Sequence, residues 1–540
     1  MQAEAARSEP ADMRDVKAAI AAADHNRASE LARAALDRGH LNPLFLNLRA
    51  WWHERNDRVS AALADLEHAH ALAPDDVPIL NALGLCLERL GRTRAAYNSF
   101  DKAARLAPEF AAAQMNRGRT LEALGDFDRA RESYKRALHL GHNAHTDLAS
   151  LAARRADWNI ARAHAEAALR IRPGLVSAEH VLAAAEIADN DLATAKGRLT
   201  RLLGGSLTTF ERATTLSLLG DVLDGEKDFA EAFAAYEAGN TARREALGTA
   251  PSDRMQIHLE RLRRYFSQLP ADSFVQPEHD APGNEDGPQH HVFILGFARS
   301  GTTLLEEALA RHPEVVTTQE KDALADAAAN LFTNDSGFDA LVTLKGAGLA
   351  RYRRSYWRKL AEFAIDGRDR CLVDKQPYNT IRLPLIAKLF PAAKVVFCLR
   401  DPRDVVLSCF RRRFALNDPN LQLLSLEGAA RFYDGVMRLA EIYRSKIPLD
   451  LRELRHEEIV SDFDSETRRI CSFVGISWTS GLKDFAGSTT WRAVITPSAD
   501  QLAGGLSARG VGYWRNYRSE LAPVLPILAP WVERFGYPDS

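Results

Sequence analysis

Hydrophobic and polar positions follow two different rhythms along this chain of 540 residues. In the first half alanine and leucine recur with helical spacing, and whole blocks repeat. Leu90-Gly91 and Leu124-Gly125 lie 34 residues apart, as do Ala73-Pro74 and Ala107-Pro108. Phe100 answers to Tyr134 and Ala103 to Ala137, so the unit reads G-x-x-x-x-A-x-x-x-[YF]-x-x-A-x-x-x-x-P. Aspartates carry the register outward: Asp126 to Asp157 is a short step of 31, Asp157 to Asp191 returns to 34, and Asp191 to Asp228 stretches to 37. With Asp24 and Asp57 they mark six or seven units over residues 12–247. Small residues at such positions let helices approach closely while aromatic and leucine side chains fill the space between units, and no unit buries its own apolar face alone.

Residues 248–288 break this rhythm. Met255 to Phe266 keeps helical spacing and suits a capping helix, whereas Leu269 to Gln289 is rich in Pro, Asp, Glu and Gly and reads as a linker. His290 and His291 read as its last residues. Over 289–538 short apolar runs alternate with helical patterns, the signature of an α/β domain with a mostly parallel sheet.

The 34-residue pattern resembles tetratricopeptide repeats, which implies an α-helical solenoid of paired antiparallel helices. Such an array either scaffolds, pairing two copies of the chain as a homodimer, or offers a concave groove to a protein or peptide.

Composition narrows the class. The 70 Lys+Arg balance 72 Asp+Glu, so nothing marks nucleic acid as a partner. Five cysteines (Cys86, Cys371, Cys398, Cys409, Cys471) are scattered and in no C-x-x-C spacing, against both a disulfide framework and a zinc site. No apolar run approaches the ~20 residues of a membrane span, and residues 1–14 carry no apolar stretch of a secretory signal. The expectation is a cytoplasmic protein without a membrane span or a metal site.

The chemistry centres on His291-Val292-Phe293-Ile294-Leu295-Gly296-Phe297-Ala298-Arg299-Ser300-Gly301-Thr302-Thr303. An apolar strand runs into a tight loop and then a helix, outlining a P-loop-like anion site that wraps backbone N–H groups around a phosphate at a helix N-terminus. The lysine that an ATP-binding loop places on the β- and γ-phosphates is missing: position 302 is Thr, and the cation is Arg299 inside the loop. Downstream, Lys394 to Leu399 is a buried strand followed by Arg400-Asp401-Pro402-Arg403-Asp404. Asp401 suits an N-cap and Pro402 the first helical position, so Arg400 leaves the strand's carboxyl edge, where open α/β sheets bind ligands.

This loop resembles the 5′-phosphosulfate loop of sulfotransferases that use 3′-phosphoadenosine 5′-phosphosulfate, most closely the protein-tyrosine sulfotransferase branch, and the resemblance spans 289–538. It implies that Arg299, Ser300, Gly301, Thr302 and Thr303 hold the donor's 5′ end. It places the catalytic base 21 positions after the loop arginine, where Glu320 stands; a phenol of pKa about 10 needs such a base. Val373-Asp374-Lys375-Gln376-Pro377 resembles the family's lysine motif, with Lys375 on the scissile oxygen and sulfuryl group. Arg400 and Ser408, eight residues apart, match its 3′-phosphate site. Thr496-Pro497-Ser498-Ala499-Asp500-Gln501 resembles its S-x-D-Q segment, which makes Ser498 a contact of the transferring group. The run from Ser507 to Tyr517 resembles the element that closes over the 3′-phosphate, which implicates Arg509 and Trp514. Two positions depart from the family: Gly504 replaces a lysine, and His456 replaces a tyrosine in the nucleotide site.

The expected activity is transfer of a sulfuryl group to a protein tyrosine, without a metal, with the repeats capturing the acceptor. The alternatives are a glycan or small-molecule acceptor, a P-loop kinase, and an inactive interaction protein.

Overall fold

A computed structural model describes residues 10–248, 253–270, 273–274, 287–363, 365–484 and 506–539. Fourteen helices among these residues, from Ala11–Ala21 to Phe229–Ala246, form the N-terminal solenoid. The residue that turns the chain from the first to the second helix of each pair has a left-handed backbone at Ala23, Asp57, Gly91, Gly125, Ala156, Asn190 and Lys227. These seven turns keep the 34, 31 and 37 spacing of the sequence register. Three of the marker aspartates cap the helices that follow: Asp24, Asp126 and Asp191 accept the N–H of Arg27, Arg129 and Thr194. A further pair of glycines 34 residues apart, Gly84 and Gly118, has a packing reason. A Cβ on Gly84 would stand 2.5 Å from the Phe100 ring, and one on Gly118 equally close to Tyr134.

By internal contacts the chain divides into two compact units: Met1–Ala153 with Asn159–Ala178, and Arg154–Trp158 with Glu179–Ser540. The second unit therefore holds the last repeat helices as well as the sheet. Its helices used below are α1 (Thr209–Gly225), α2 (Phe229–Ala246), α3 (Arg254–Gln268), α4 (Thr302–Leu309), α5 (Gly346–Glu362), α6 (Pro402–Arg411) and α7 (His456–Ser461). The strands are β1 (His290–Gly296), β2 (Val315–Thr317), β3 (Cys371–Lys375), β4 (Lys394–Leu399) and β5 (Asp450–Arg455). All pair in parallel, in the order β2-β3-β1-β4-β5.

Alternation along the strands makes a three-layer domain. Val292, Ile294, Val373, Val396 and Cys398 pack with Leu305 and Leu309 of α4 on one face. Phe293, Leu295, Leu372, Val395 and Phe397 join a larger core on the other, which also takes Leu259, Leu262 and Phe266 of α3 and Leu223, Ala232 and Tyr236 of α1 and α2. The last helix pair of the solenoid is thus built into the core of the sheet domain. The two histidines expected to end the linker instead begin β1. His291 is half-buried against Tyr356, its Nε2 3.0 Å from the phenol oxygen, and desolvation pushes its pKa down to about 3. Strand alternation puts it on the same face as Phe293.

Candidate active site

The connections of the neighbours β1 and β4 lead away in opposite directions, to β2 and β5, which makes their carboxyl ends a topological switch point. The loop after β1 and the turn after β4 meet there. Gly296, with φ of 143°, passes so close to β4 that a Cβ would lie 2.5 Å from the Cys398 carbonyl oxygen. Arg299 and Gly301 both have left-handed backbone, at φ of 70° and 95°, and Gly301 is the N-cap of α4. Ser300, Thr302 and Thr303 are buried in this turn.

Arg299 is 6% exposed, and its Nε donates to Ser408 Oγ of α6 at 2.9 Å. Arg400 reaches the same loop from the end of β4: Nη1 donates to the Arg299 carbonyl at 3.1 Å and Nη2 to the Gly510 carbonyl at 2.5 Å. Asp401 caps α6 and accepts both the N–H and the guanidinium of Arg403. The Arg403 guanidinium in turn lies 3.9 Å from the centre of the buried Trp514 ring. Asp404 accepts the backbone N–H groups of Gly512 and Trp514 at 2.7 and 2.8 Å, while burial pushes its pKa up to about 6. The 507–517 segment is therefore tied to α6 by its backbone. The side chain of Arg509 is exposed, and the neighbouring Gly510 makes the contact to Arg400.

His456 opens α7 directly against the loop; a Cβ on Gly301 would be 2.9 Å from its Nδ1. Burial, with Arg400 and Arg299 nearby, pushes its pKa down to about 3, so the ring is neutral. His456 Nδ1, Arg400 Nε and Trp514 Nε1 are buried without a hydrogen-bond partner. His456 Nδ1 and Arg400 Nε stand beside the glycine loop, and Trp514 Nε1 belongs to the segment tied to α6; unpartnered buried nitrogens of this kind, two of them obligate N–H donors, suit phosphate oxygens, which would supply the missing acceptors.

On the other side of β1, Lys375 ends β3, fully buried, with Nζ 2.5 Å from Glu320 Oε1 and 3.1 Å from Glu306 Oε2. Burial alone would lower the lysine, but the two carboxylates outweigh it and hold its pKa above the usual value. Gln319 and Glu320 are consecutive left-handed residues, at φ of 51° and 64°. Such backbone costs about 1–3 kcal/mol per residue and persists only where its surroundings fix it. Here Glu320 N–H donates to the Lys375 carbonyl at 3.1 Å, Gln376 Nε2 to the Glu320 carbonyl at 3.2 Å, and Gln319 N–H to Glu306 Oε1 at 3.0 Å. On the opposite face of β3, Asp374 accepts the Tyr356 and Thr318 hydroxyls at 2.7 and 3.3 Å. The Thr318 hydroxyl accepts the Lys375 N–H at 3.1 Å.

The structure thus gathers Arg299, Ser408, Arg400, Gly301 and His456 in one cluster, and Lys375 with Glu320 in a second. Ser498 and Gly504 lie outside the described residues. Glu306 went unnoticed in the sequence. Its signal was an acid beside Leu305 and Ala308, on the stripe of α4 that turns inward.

Residues 291–480 match the family model described as "Sulfotransferase family", and residues 77–110 and 111–144 each match a tetratricopeptide repeat model. The chain carries a sulfotransferase-family domain together with tetratricopeptide repeats. It is 24% identical over 341 residues to an uncharacterized protein of Aquifex aeolicus, covering 61% of this chain and 43% of that one. It is 23% identical to protein-tyrosine sulfotransferase A of Caenorhabditis elegans, covering 50% of this chain and 72% of the relative. A solved structure, the sulfotransferase domain from the Synechococcus PCC 7002 olefin synthase, is 21% identical, with 48% of this chain and 98% of that one covered at a TM-score of 0.33.

Proposed function

We propose that this chain moves the sulfuryl group of 3′-phosphoadenosine 5′-phosphosulfate to the hydroxyl of a protein tyrosine. The observation that carries the reading is the contact of Lys375 Nζ with Glu320 Oε1, 2.5 Å, at the carboxyl end of the strand that pairs with β1: a base and a buried cation held together at the ligand edge of the sheet. Glu320 takes the acceptor's O–H proton while its oxygen bonds to sulfur. The bond from sulfur to the bridging phosphate oxygen breaks, and the bisphosphate leaves with that electron pair. Arg299 and Lys375 face the charge that develops there, with Ser498 as a further contact, while Arg400, His456 and the 507–517 segment hold the nucleotide. The tyrosine acceptor is supported by the relatives named as protein-tyrosine sulfotransferases. The repeats suit protein–protein contact, here capture of the acceptor. All five cysteines are buried and unbonded, which suits the cytoplasm as the proposed compartment.

The test is transfer from labelled donor onto a cell extract, with products separated as protein, glycan and small molecule. The proposed reading expects label on protein, recovered as tyrosine O-sulfate. Label confined to glycans or small molecules overturns the acceptor, and no transfer to any fraction overturns the activity.

A further inference from the structure

Glu306 sits in the middle of α4, 2% exposed, with one carboxylate oxygen on the catalytic lysine and the other on the turn that carries Glu320. Oε2 stands 3.1 Å from Lys375 Nζ, and Oε1 accepts the N–H of Gln319, the residue that leads into the left-handed Glu320. One buried side chain therefore holds the lysine with one oxygen and the turn that aims the base with the other. Lys375 lies between two carboxylates, Glu306 in the interior and Glu320 with a side chain 29% exposed on the open side. The groups that face Glu306 are Lys375 from β3, Glu320 from the turn after β2 and Glu307 from its own helix; the Cys398 thiol of β4 faces the lysine. A second buried carboxylate is expensive to desolvate, and Glu320 alone could neutralise the lysine. Its presence there calls for a task beyond charge balance.

We infer that Glu306 is a positioning residue for the transfer proposed above: it shares the charge of Lys375, so that Glu320 remains available as the base, and it fixes the turn that carries Glu320. When Glu306 is ionised, the ammonium is divided between two partners. When Glu306 is protonated, the whole ammonium faces Glu320 and ties the base into a closed ion pair. Burial pushes the pKa of Glu306 up to about 7, past the opposing pull of Lys375, so the exchange falls near neutral pH. Turnover therefore rises as Glu306 loses its proton. This rests on Glu320 acting as the base, and the experiment keeps the two apart.

On the intact chain, kcat for transfer to a short tyrosine peptide should climb with pH through one ionisation near 7. E306Q, which keeps an oxygen for the Gln319 N–H and drops the charge, should lose that step. Its kcat at about pH 8 should fall roughly tenfold or more, with donor KM unchanged. A variant with wild-type kcat and the same ionisation overturns the inference. Should E306Q not fold, the wild-type profile decides alone: a kcat flat between about pH 6 and 8 overturns it. If the wild type moves no sulfuryl group, the functional reading fails and the carboxyl titration still tests the pairing. In chain labelled with glutamate ¹³Cδ, one resonance should titrate near 7, absent from E306Q; no such resonance contradicts the arrangement.

Discussion

Arg299 Nε donates to Ser408 Oγ at 2.9 Å, joining the loop after β1 to the second turn of α6 across 109 residues of chain. The serine matched to the 3′-phosphate site therefore holds the loop arginine, and Arg400 holds the carbonyl of that same arginine. The loop and the second motif form one rigid cradle rather than two separate contacts.

If Ser408 acts by orienting Arg299, S408A should weaken the bisphosphate product and adenosine 5′-phosphosulfate alike. The expected loss is about 0.5–1.5 kcal/mol, the worth of one hydrogen bond. Calorimetric titration of both ligands checks this. A loss confined to the ligand with the 3′-phosphate would show the hydroxyl reading that phosphate itself.

E320Q should lower kcat about 10²–10⁴-fold, the usual contribution of a general base. Affinity for the bisphosphate product should stay within about twofold of wild type, because Glu320 faces Lys375 rather than the nucleotide loop. Single-turnover kinetics with product-binding controls separates the two effects. Wild-type turnover in the variant would move the base elsewhere.

Much of this was legible in the sequence because its causes are local. A buried apolar run ending in glycine, and Asp401 before Pro402, each dictate their own geometry; the structure has Asp401 capping α6 as its spacing implied. The repeat register was visible because the same left-handed turn recurs in each unit. Position-by-position resemblance, rather than composition, brought Glu320 to Lys375. Glu306 was hidden because a glutamate on a helix looks solvated until the helix is packed against β3. His291 was misread because a polar linker precedes it, although alternation with Phe293 already pointed it inward.

His456 gives a pH signature that does not depend on turnover. Its pKa is pushed down to about 3, below the ordinary value of 6.5, so the unfolded chain takes up a proton that the folded chain refuses. Its contribution to stability is present above 6.5 and is lost as pH falls toward 3, at most about 1.4 kcal/mol per pH unit. The stability difference between H456Q and wild type, from urea unfolding at several pH values, should move in favour of the variant over that window. A difference independent of pH would mean that the ring is not held neutral by burial.

The last repeat pair should be needed for the integrity of the sheet domain. Asp224 of α1 accepts Arg411 Nη2 at 2.6 Å and the hydroxyls of Tyr513 and Tyr517, at the far end of the helix that bears Ser408. D224N leaves the guanidinium buried without its counter-charge. It should cost about 2–4 kcal/mol, somewhat under the full penalty for a buried pair because both side chains keep a little exposure. The double variant D224N/R411M should recover part of the loss. Denaturant unfolding of both chains checks it, and a D224N variant as stable as wild type would show that this contact is incidental.

The most direct measurement follows sulfur from labelled 3′-phosphoadenosine 5′-phosphosulfate in the presence of a tyrosine peptide, for wild type, E320Q and K375M side by side. The predicted result is label on the peptide with wild type and stoichiometric release of the bisphosphate. Transfer should be reduced about 10²-fold or more in both variants while each still binds that bisphosphate. Tight binding of the bisphosphate by all three chains with no transfer by wild type, or transfer that survives both substitutions, would contradict the assignment of Glu320 and Lys375 as the catalytic pair.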